Sequence, residues 1–305
     1  MICASDLYEM KAAASASKLP RLIYGTAWKK ERTTALVKQA IAAGFRGVDT
    51  AAQPKHYQED LVGLGIQDAL RETGLKRQDL YLQTKFTSVY GQDPKKIPYD
   101  PNTSITDQVN TSVSSSLRNL GPAEGGAHHS SYIDCLVLHS PFPSPSQTEE
   151  AWRAMETHVP NSVRTLGISN IYSISALKDL YKFASVKPSV VQNRFFRDTG
   201  YDLEVRKFCA EKDMTYQSFW TLTANPHLLM SEPTRELAKA VGVSLPVALY
   251  GLVLGLGKVS VLDGTTNAER MHEDLAGIEK ISEWQSAHAS EWSQLQNAFD
   301  ALLAA

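Results

Sequence analysis

Arg21–Phe86 reads RLIYGTAWKKERTTALVKQAIAAGFRGVDTAAQPKHYQEDLVGLGIQDALRETGLKRQDLYLQTKF, and two periods alternate along it. Short β-branched or aromatic runs at Arg21–Ala27, Gly47–Ala51 and Leu80–Phe86 predict strands. Between them the apolar residues recur at helical spacing. Leu36, Val37, Ala40 and Ile41 share one face of a helix expected over Glu31–Ala43 and closed by Gly44. Leu61, Val62, Gly65, Ile66, Ala69 and Leu70 give a second helix its buried stripe, ending near Gly74.

The alternation persists downstream. Further strands are expected near Ile133–Ser140, Thr165–Asn170, Val190–Phe195, Thr215–Trp220 and Val259–Gly264. Helices are expected near Ile105–Asn119, Ser146–Thr157, Ile174–Phe183, Leu203–Lys212, Glu232–Val241 and Ala268–Ile278, with an extra apolar one near Leu245–Leu254. Crossover units of this number close into a barrel rather than an open sheet. The predicted class is therefore α/β: a single-domain (β/α)8 TIM barrel over residues 20–305 with a C-terminal helical tail, preceded by an extension at 1–19. In the tail, Trp292, Leu295, Phe299 and Leu302 form a stripe expected to pack on the barrel. Two stretches are loop-like. Ser88–Thr103 follows the third strand, where a barrel places its active site, and is a candidate substrate-shaping loop. Gly121–Ser131 precedes the fourth strand and reads as a tolerated insertion. A Rossmann sheet is disfavoured, because Gly63 and Gly65 lie inside a helical stripe and Asp68 stands where a third glycine would be needed.

Composition narrows the partners. The chain has 305 residues, with 31 Lys+Arg against 33 Asp+Glu, so it lacks the cationic excess expected for binding nucleic acid or a membrane surface. No apolar stretch reaches the roughly 18 residues that span a bilayer. The first nineteen residues carry Asp6, Glu9 and Lys11 without a continuous apolar core, so no secretory signal is expected. Cys3, Cys135 and Cys209 are too few for a disulfide framework, which points to a cytoplasmic location and leaves the sequons at Asn102 and Asn110 without weight. His128, His129 and Cys135 lack a metal-ligand spacing, so no metal is expected. A closed barrel offers no open sheet edge, and a monomer is expected.

Polar residues at the carboxyl ends of barrel strands converge on one pocket. Asp49 ends the second strand, Tyr57 follows it, Lys85 ends the third and His139 the fourth. Taken singly, each reads as a turn, packing or solvated residue. Together, in the local sequences GFRGVDTA, HYQEDLVG, LQTKF and LVLHSP, they resemble the aldo-keto reductase superfamily, fungal members in particular, over roughly residues 20–278. The chemistry agrees with the grouping. A tyrosine hydroxyl with a pKa of about 10 is a poor acid near neutrality unless a cation stabilises its phenolate. Lys85 can supply that charge, Asp49 can keep Lys85 protonated, and His139 can orient the substrate carbonyl while Tyr57 delivers the proton.

The resemblance implies a nicotinamide coenzyme, NADPH (NADP+), and a small-molecule carbonyl substrate. It implies coenzyme contacts at Gly25 and Thr26, at Asp49, and at Ser169, Asn170 and Gln192, the last three holding the carboxamide. In YQSFWTLT, Gln217 stands where the family carries a stacking tyrosine, Tyr216 is expected to face the other way, and Phe219 could stack instead. Ser218 and the segment from Trp220 through Thr221 to Thr223 are candidate pyrophosphate contacts. After the eighth strand the family's lysine is replaced by Gly264, while Arg270 remains for the 2′-phosphate with Thr265 and Asn267. Glu273 and Asp274 are expected near the adenine. The substrate pocket is expected to include Trp28, His56, Phe86, Val89 and Tyr90. Two other functions stay open: a reductase of imines or conjugated substrates in specialised metabolism, and a nucleotide-binding, redox-sensing subunit with little turnover.

Overall fold

A computed structural model describes residues 19–121 and 132–304. The N-terminal extension with Cys3, and the insertion carrying His128 and His129, lie outside the described residues. Eight parallel strands close into a barrel in sequence order. They are β1 (Leu22–Gly25), β2 (Gly47–Asp49), β3 (Tyr81–Phe86), β4 (Ile133–Leu138), β5 (Val163–Ser169), β6 (Pro188–Arg194), β7 (Thr215–Phe219) and β8 (Val259–Asp263). The helices are α1 (Thr33–Ala43), α2 (Glu59–Thr73), α3 (Ile105–Leu120), α4 (Pro145–Glu156), α5 (Ile174–Phe183), α6 (Leu203–Glu211), α7 (Pro226–Leu229), α8 (Glu232–Val241), α9 (Leu245–Gly255), α10 (Ala268–Ala287) and α11 (Ala289–Ala304).

Strand period sorts the side chains into two cores. Outward residues such as Tyr24, Leu82, Phe86 and Tyr216 pack with the helices in one large apolar cluster. Inward residues Tyr81, Cys135, Val137 and Val190 form a small cluster inside the barrel. Toward the carboxyl ends the interior turns polar, with Gln83, Lys85, Asp49, Gln192 and Gln217 all buried. A buried polar layer is tolerable only when its groups are paired, and these are.

Gly63 and Gly65 explain their own presence. A Cβ on Gly63 would come within 1.9 Å of Asn119 O on α3, and one on Gly65 within 2.7 Å of Thr34 O on α1. They are close-approach positions of a packed helix rather than a phosphate loop. Helix α9 is buried on nearly every side, matching its continuous apolar sequence. Among the described residues no single helix is long and apolar enough to cross a membrane.

Two expectations need correction. Helix α10 runs nine residues past Ile278, because Ile281 continues its stripe and packs onto Gly251 of α9. In the tail, Leu303 rather than Leu302 is buried with Trp292, Leu295 and Phe299, since the steps from 295 to 299 to 303 keep one helical face. The tail helix packs on α8 and α9.

Candidate active site

The ion pair at the centre of the site follows from strand register. Asp49 on β2 pairs with Gln83 on β3, which brings Lys85, two residues on and on the same face, alongside the carboxylate. Lys85 Nζ lies 2.6 Å from Asp49 Oδ2 and donates to Thr50 O at 2.8 Å. Both side chains are buried. Burial pulls the Lys85 pKa down, and the Asp49 charge and hydrogen bond oppose it.

The remaining Asp49 oxygen is held from below. Asp49 Oδ1 accepts from Gln83 Nε2 at 2.6 Å and from Gln192 Nε2 at 3.0 Å. The same two amide nitrogens each donate 2.8 Å to Gln217 Oε1, closing a four-membered ring of acceptors and donors. Gln217 Nε2 and Tyr81 Oη both donate to Gln83 Oε1, at 3.0 and 3.1 Å. Every bond is buried, so the amide orientations are fixed by one another.

Tyr57 comes from the β2–α2 loop, where its amide donates to Gln53 O at 3.0 Å. Its ring centroid is 5.2 Å from Lys85 Nζ and 6.1 Å from the His139 ring. Burial raises the phenol pKa, and the Asp49 charge raises it further. Two residues on, Glu59 anchors the start of α2. Its carboxylate accepts from Thr84 Oγ1 at 2.5 Å and from Ser116 Oγ at 2.8 Å. Burial raises the Glu59 pKa, and these hydrogen bonds oppose it.

His139 follows β4, with its backbone amide donating to Phe86 O at 2.9 Å. Its Nδ1 lies 2.6 Å from Thr87 Oγ1. Burial lowers its pKa to about 3, and the Lys85 charge adds to that, so the imidazole is neutral across ordinary pH.

The other strand ends are more committed to the protein than the sequence suggests. Thr26 donates to Asp49 O through both its amide and its hydroxyl, at 3.0 and 2.9 Å, beside Gly25. Asn170 Nδ2 donates to His139 O at 2.8 Å and to Ser169 Oγ at 3.2 Å. The next helix is capped by Ser173 instead. Ser218 Oγ pairs with Thr221 Oγ1, and the exposed Trp220 follows Phe219 in a left-handed conformation at φ 57°. Tyr216 faces outward, donating to Asp202 Oδ2 at 2.9 Å. Asn267 caps α10 by accepting from Arg270 N at 3.0 Å, and Thr265 Oγ1 accepts from Asn267 N at 3.3 Å. Arg270 and Glu273 are exposed, while Asp274 is buried beside Asp263.

At the mouth, Trp28 lies on His56 with centroids 3.8 Å apart, and the exposed Tyr90 meets Phe142 edge-on at 6.3 Å. Val89 is half-buried beside them. Phe86 is the correction. It is fully buried on the outer face of β3 against Tyr99, because Lys85 takes the inward face and successive residues alternate. It belongs to the core and not to the pocket wall. A cavity of about 80 Å³ opens beside Tyr57, Pro54 and Pro98. A larger one, about 190 Å³, lies around Tyr81, Arg164 and Thr215 and contains none of the expected site residues.

Sequence reasoning passed over Gln83 and Thr87. Gln83 shares the inward parity of Lys85, which was the available signal. Thr87 carries no such signal, because its contact depends on where His139 arrives from another strand.

The arrangement can be compared with known proteins. An uncharacterized oxidoreductase of Bacillus subtilis, YtbE, is 32% identical over 230 residues, covering 75% of this chain and 72% of its own. The NAD/NADP-dependent indole-3-acetaldehyde reductase of Schizosaccharomyces pombe is 27% identical, covering 87% of this chain and 88% of its own. The aldose reductase structure from Schistosoma japonicum superposes with a TM-score of 0.67 at 20% identity, covering 88% of each chain, a likeness of fold. Residues 21–280 match the profile of the Aldo/keto reductase family, and the chain is a member of that family of oxidoreductases.

Proposed function

We propose that the chain is an NADPH-dependent reductase of aldehydes or ketones, with Tyr57 as proton donor. One observation carries this: a buried Lys85–Asp49 pair whose ammonium lies 5.2 Å from the Tyr57 ring. An ammonium beside the ring attracts a phenolate far more strongly in a buried site than it would in water, and so can stabilise the charge that forms on Tyr57. At rest Tyr57 stays protonated, because burial and Asp49 both raise its pKa. As its proton leaves, the phenolate forms beside Lys85, which Asp49 holds in the charged form. In the tautomer whose Nδ1 accepts from the Thr87 hydroxyl, neutral His139 presents Nε2–H to the substrate oxygen and fixes the carbonyl for protonation.

NADPH supplies the hydride in this reading. The opening turn of α10 suits a phosphorylated adenosine: Arg270 is exposed there, its backbone amide capped by Asn267, so its guanidinium is left for an anion. Ser169, Asn170 and Gln192 would hold the carboxamide end, with Gly25, Thr26, Ser218, Phe219, Thr221 and Gly264 along its course and Glu273 and Asp274 near the adenine. Trp28, His56, Val89 and Tyr90 favour an aromatic or apolar substrate body.

A second reading rests on Gln217, which is turned into the barrel and bonded to Gln83 and Gln192. Without a stacked aromatic there, the nicotinamide environment differs from the family's usual one, which keeps a reductase of imines or conjugated substrates as the second reading. Single-turnover reduction of an aldehyde, ketone, imine and enone panel, by wild type and Tyr57→Phe, separates the two. Carbonyl reduction slowed about a hundredfold to ten-thousandfold in Tyr57→Phe supports the first reading. Cofactor binding without turnover on any panel member would indicate a sensing subunit.

A further inference from the structure

Strand register places Thr87 beside His139. Phe86 on β3 pairs with Leu138 on β4, so the residues that follow them leave the barrel side by side. The His139 amide donates to Phe86 O at 2.9 Å, and His139 O accepts from Asn170 Nδ2 at 2.8 Å, which fixes the backbone that carries the imidazole. Thr87 is held as firmly. Its carbonyl accepts from Tyr99 Oη at 2.6 Å and from Gln92 Nε2 at 3.2 Å. Its methyl faces the turn at Gly91, where a Cβ would come within 2.7 Å of Thr87 Cγ2. A β-branched side chain has few χ1 states to choose from. With carbonyl and methyl both confined, the hydroxyl is directed at the ring, 2.6 Å from His139 Nδ1.

That hydroxyl decides which ring nitrogen carries the hydrogen. Thr87 is 3% exposed, and among the described residues its Oγ1 has no partner besides Nδ1. An Nδ1–H donating to Oγ1 would leave the hydroxyl hydrogen without an acceptor. A bare Nδ1 takes that hydrogen, and both groups are satisfied. The ring is neutral, because burial and the Lys85 charge hold its pKa at about 3, so its one N–H belongs on Nε2. Among the described residues Nε2 has no protein partner.

We propose that Thr87 is a positioning residue for the reduction: its hydroxyl fixes His139 in the Nε2–H tautomer and in one ring orientation, so that a donor stands ready for the substrate oxygen beside Tyr57. The inference rests on the carbonyl-reductase reading above. Thr87 acts only through the imidazole. Gln92 Nε2 also donates to Ala52 O at 2.8 Å, in the β2–α2 loop that carries Tyr57. The Ser88–Thr103 segment therefore reaches both the proton donor and the orienting histidine through Gln92, Tyr99 and Thr87.

Heteronuclear NMR of histidine-labelled protein, with steady-state kinetics, tests this on wild type, Thr87→Val and Thr87→Ser. The His139 signals are those absent from His139→Gln. Wild type should show a hydrogen-bonded, unprotonated Nδ1 and a protonated Nε2. Thr87→Val keeps the shape and removes the hydroxyl, so the Nδ1 signal should move to that of an unbonded ring nitrogen. Its kcat for carbonyl reduction should fall roughly twofold to tenfold, the range for one neutral hydrogen bond, with coenzyme affinity unchanged. Thr87→Ser should restore the nitrogen signal and most of the rate. A proton on Nδ1 in wild type would overturn the proposal even if a variant failed to fold, as would an undiminished rate in Thr87→Val. A Thr87→Ser that keeps the nitrogen signal yet turns over as slowly as Thr87→Val would overturn it too. The expected signals in a wild type that reduces no carbonyl would instead overturn the reductase reading.

Discussion

Gln83 on β3 and Gln217 on β7 join opposite walls of the barrel through a reciprocal pair of hydrogen bonds, 2.8 and 3.0 Å long. The strut lies directly beneath Asp49, and through Gln83 and Gln192 it determines what the carboxylate can accept. Gln217→Leu leaves one N–H on each of the buried Gln83 and Gln192 without its acceptor. At about 1–3 kcal/mol for each stranded donor, the expected loss is at least about 2 kcal/mol. Urea unfolding measures it, and an unchanged midpoint would show that the amides repack without cost.

Lys85→Met should be destabilising as well as inactive. Removing one partner of a buried ion pair costs roughly 3–5 kcal/mol, because the other charge is left uncompensated. Adding Asp49→Asn should restore much of that stability while turnover stays lost. A double variant no more stable than Lys85→Met would mean that Asp49 does not depend on the lysine.

His139 contributes no acid limb near its ordinary pKa, since burial and Lys85 hold it at about 3. The kcat/KM profile of wild type should be flat through pH 5–7, the range in which an unperturbed histidine titrates. His139→Gln should leave that flat region in place and change the ranking of carbonyl substrates. An acid limb near pH 6 that vanishes in His139→Gln would show the imidazole titrating after all.

Asp274 gives a stability signal with a definite sign. Burial and the neighbouring Asp263 raise its pKa to about 8, so the folded chain binds a proton that the unfolded chain releases near pH 4. The associated stability is fully present below that lower value and is lost as pH rises through about 8. Asp274→Asn should therefore raise Tm at pH 9 relative to wild type by more than it does at pH 5. Equal shifts at both pH values would place the proton elsewhere.

The chain should be a monomer, with a light-scattering mass of 33.6 kDa across a dilution series. Twice that mass would make the outer face of α11 the first interface to examine.

Much of this was legible in the sequence, for a physical reason. A parallel barrel repeats one local unit, so periods of two and of 3.6 locate its strands and helices, and strand ends then locate Asp49, Lys85 and His139. Phe86 was misread because neighbouring strand residues face opposite ways, and one step separates a pocket residue from a core residue. Leu303 was missed because a tail helix of small and apolar residues allows two adjacent stripes. Thr87 could not be paired with His139 from sequence, because they lie 52 positions apart and meet only once β3 and β4 are in register.

Helix α2 is pressed against backbone on two sides at Gly63 and Gly65, and its first turn begins two residues after Tyr57. Any side chain at those glycines must push the helix away from Asn119 or Thr34, and the tyrosine loop travels with it. In a random-mutagenesis screen scored by turnover, positions 63 and 65 should therefore be as intolerant as 57, although neither faces the substrate. Screening the same library for solubility alone would pass many of those clones, so comparing the two survivor sets would separate loss of fold from loss of aim.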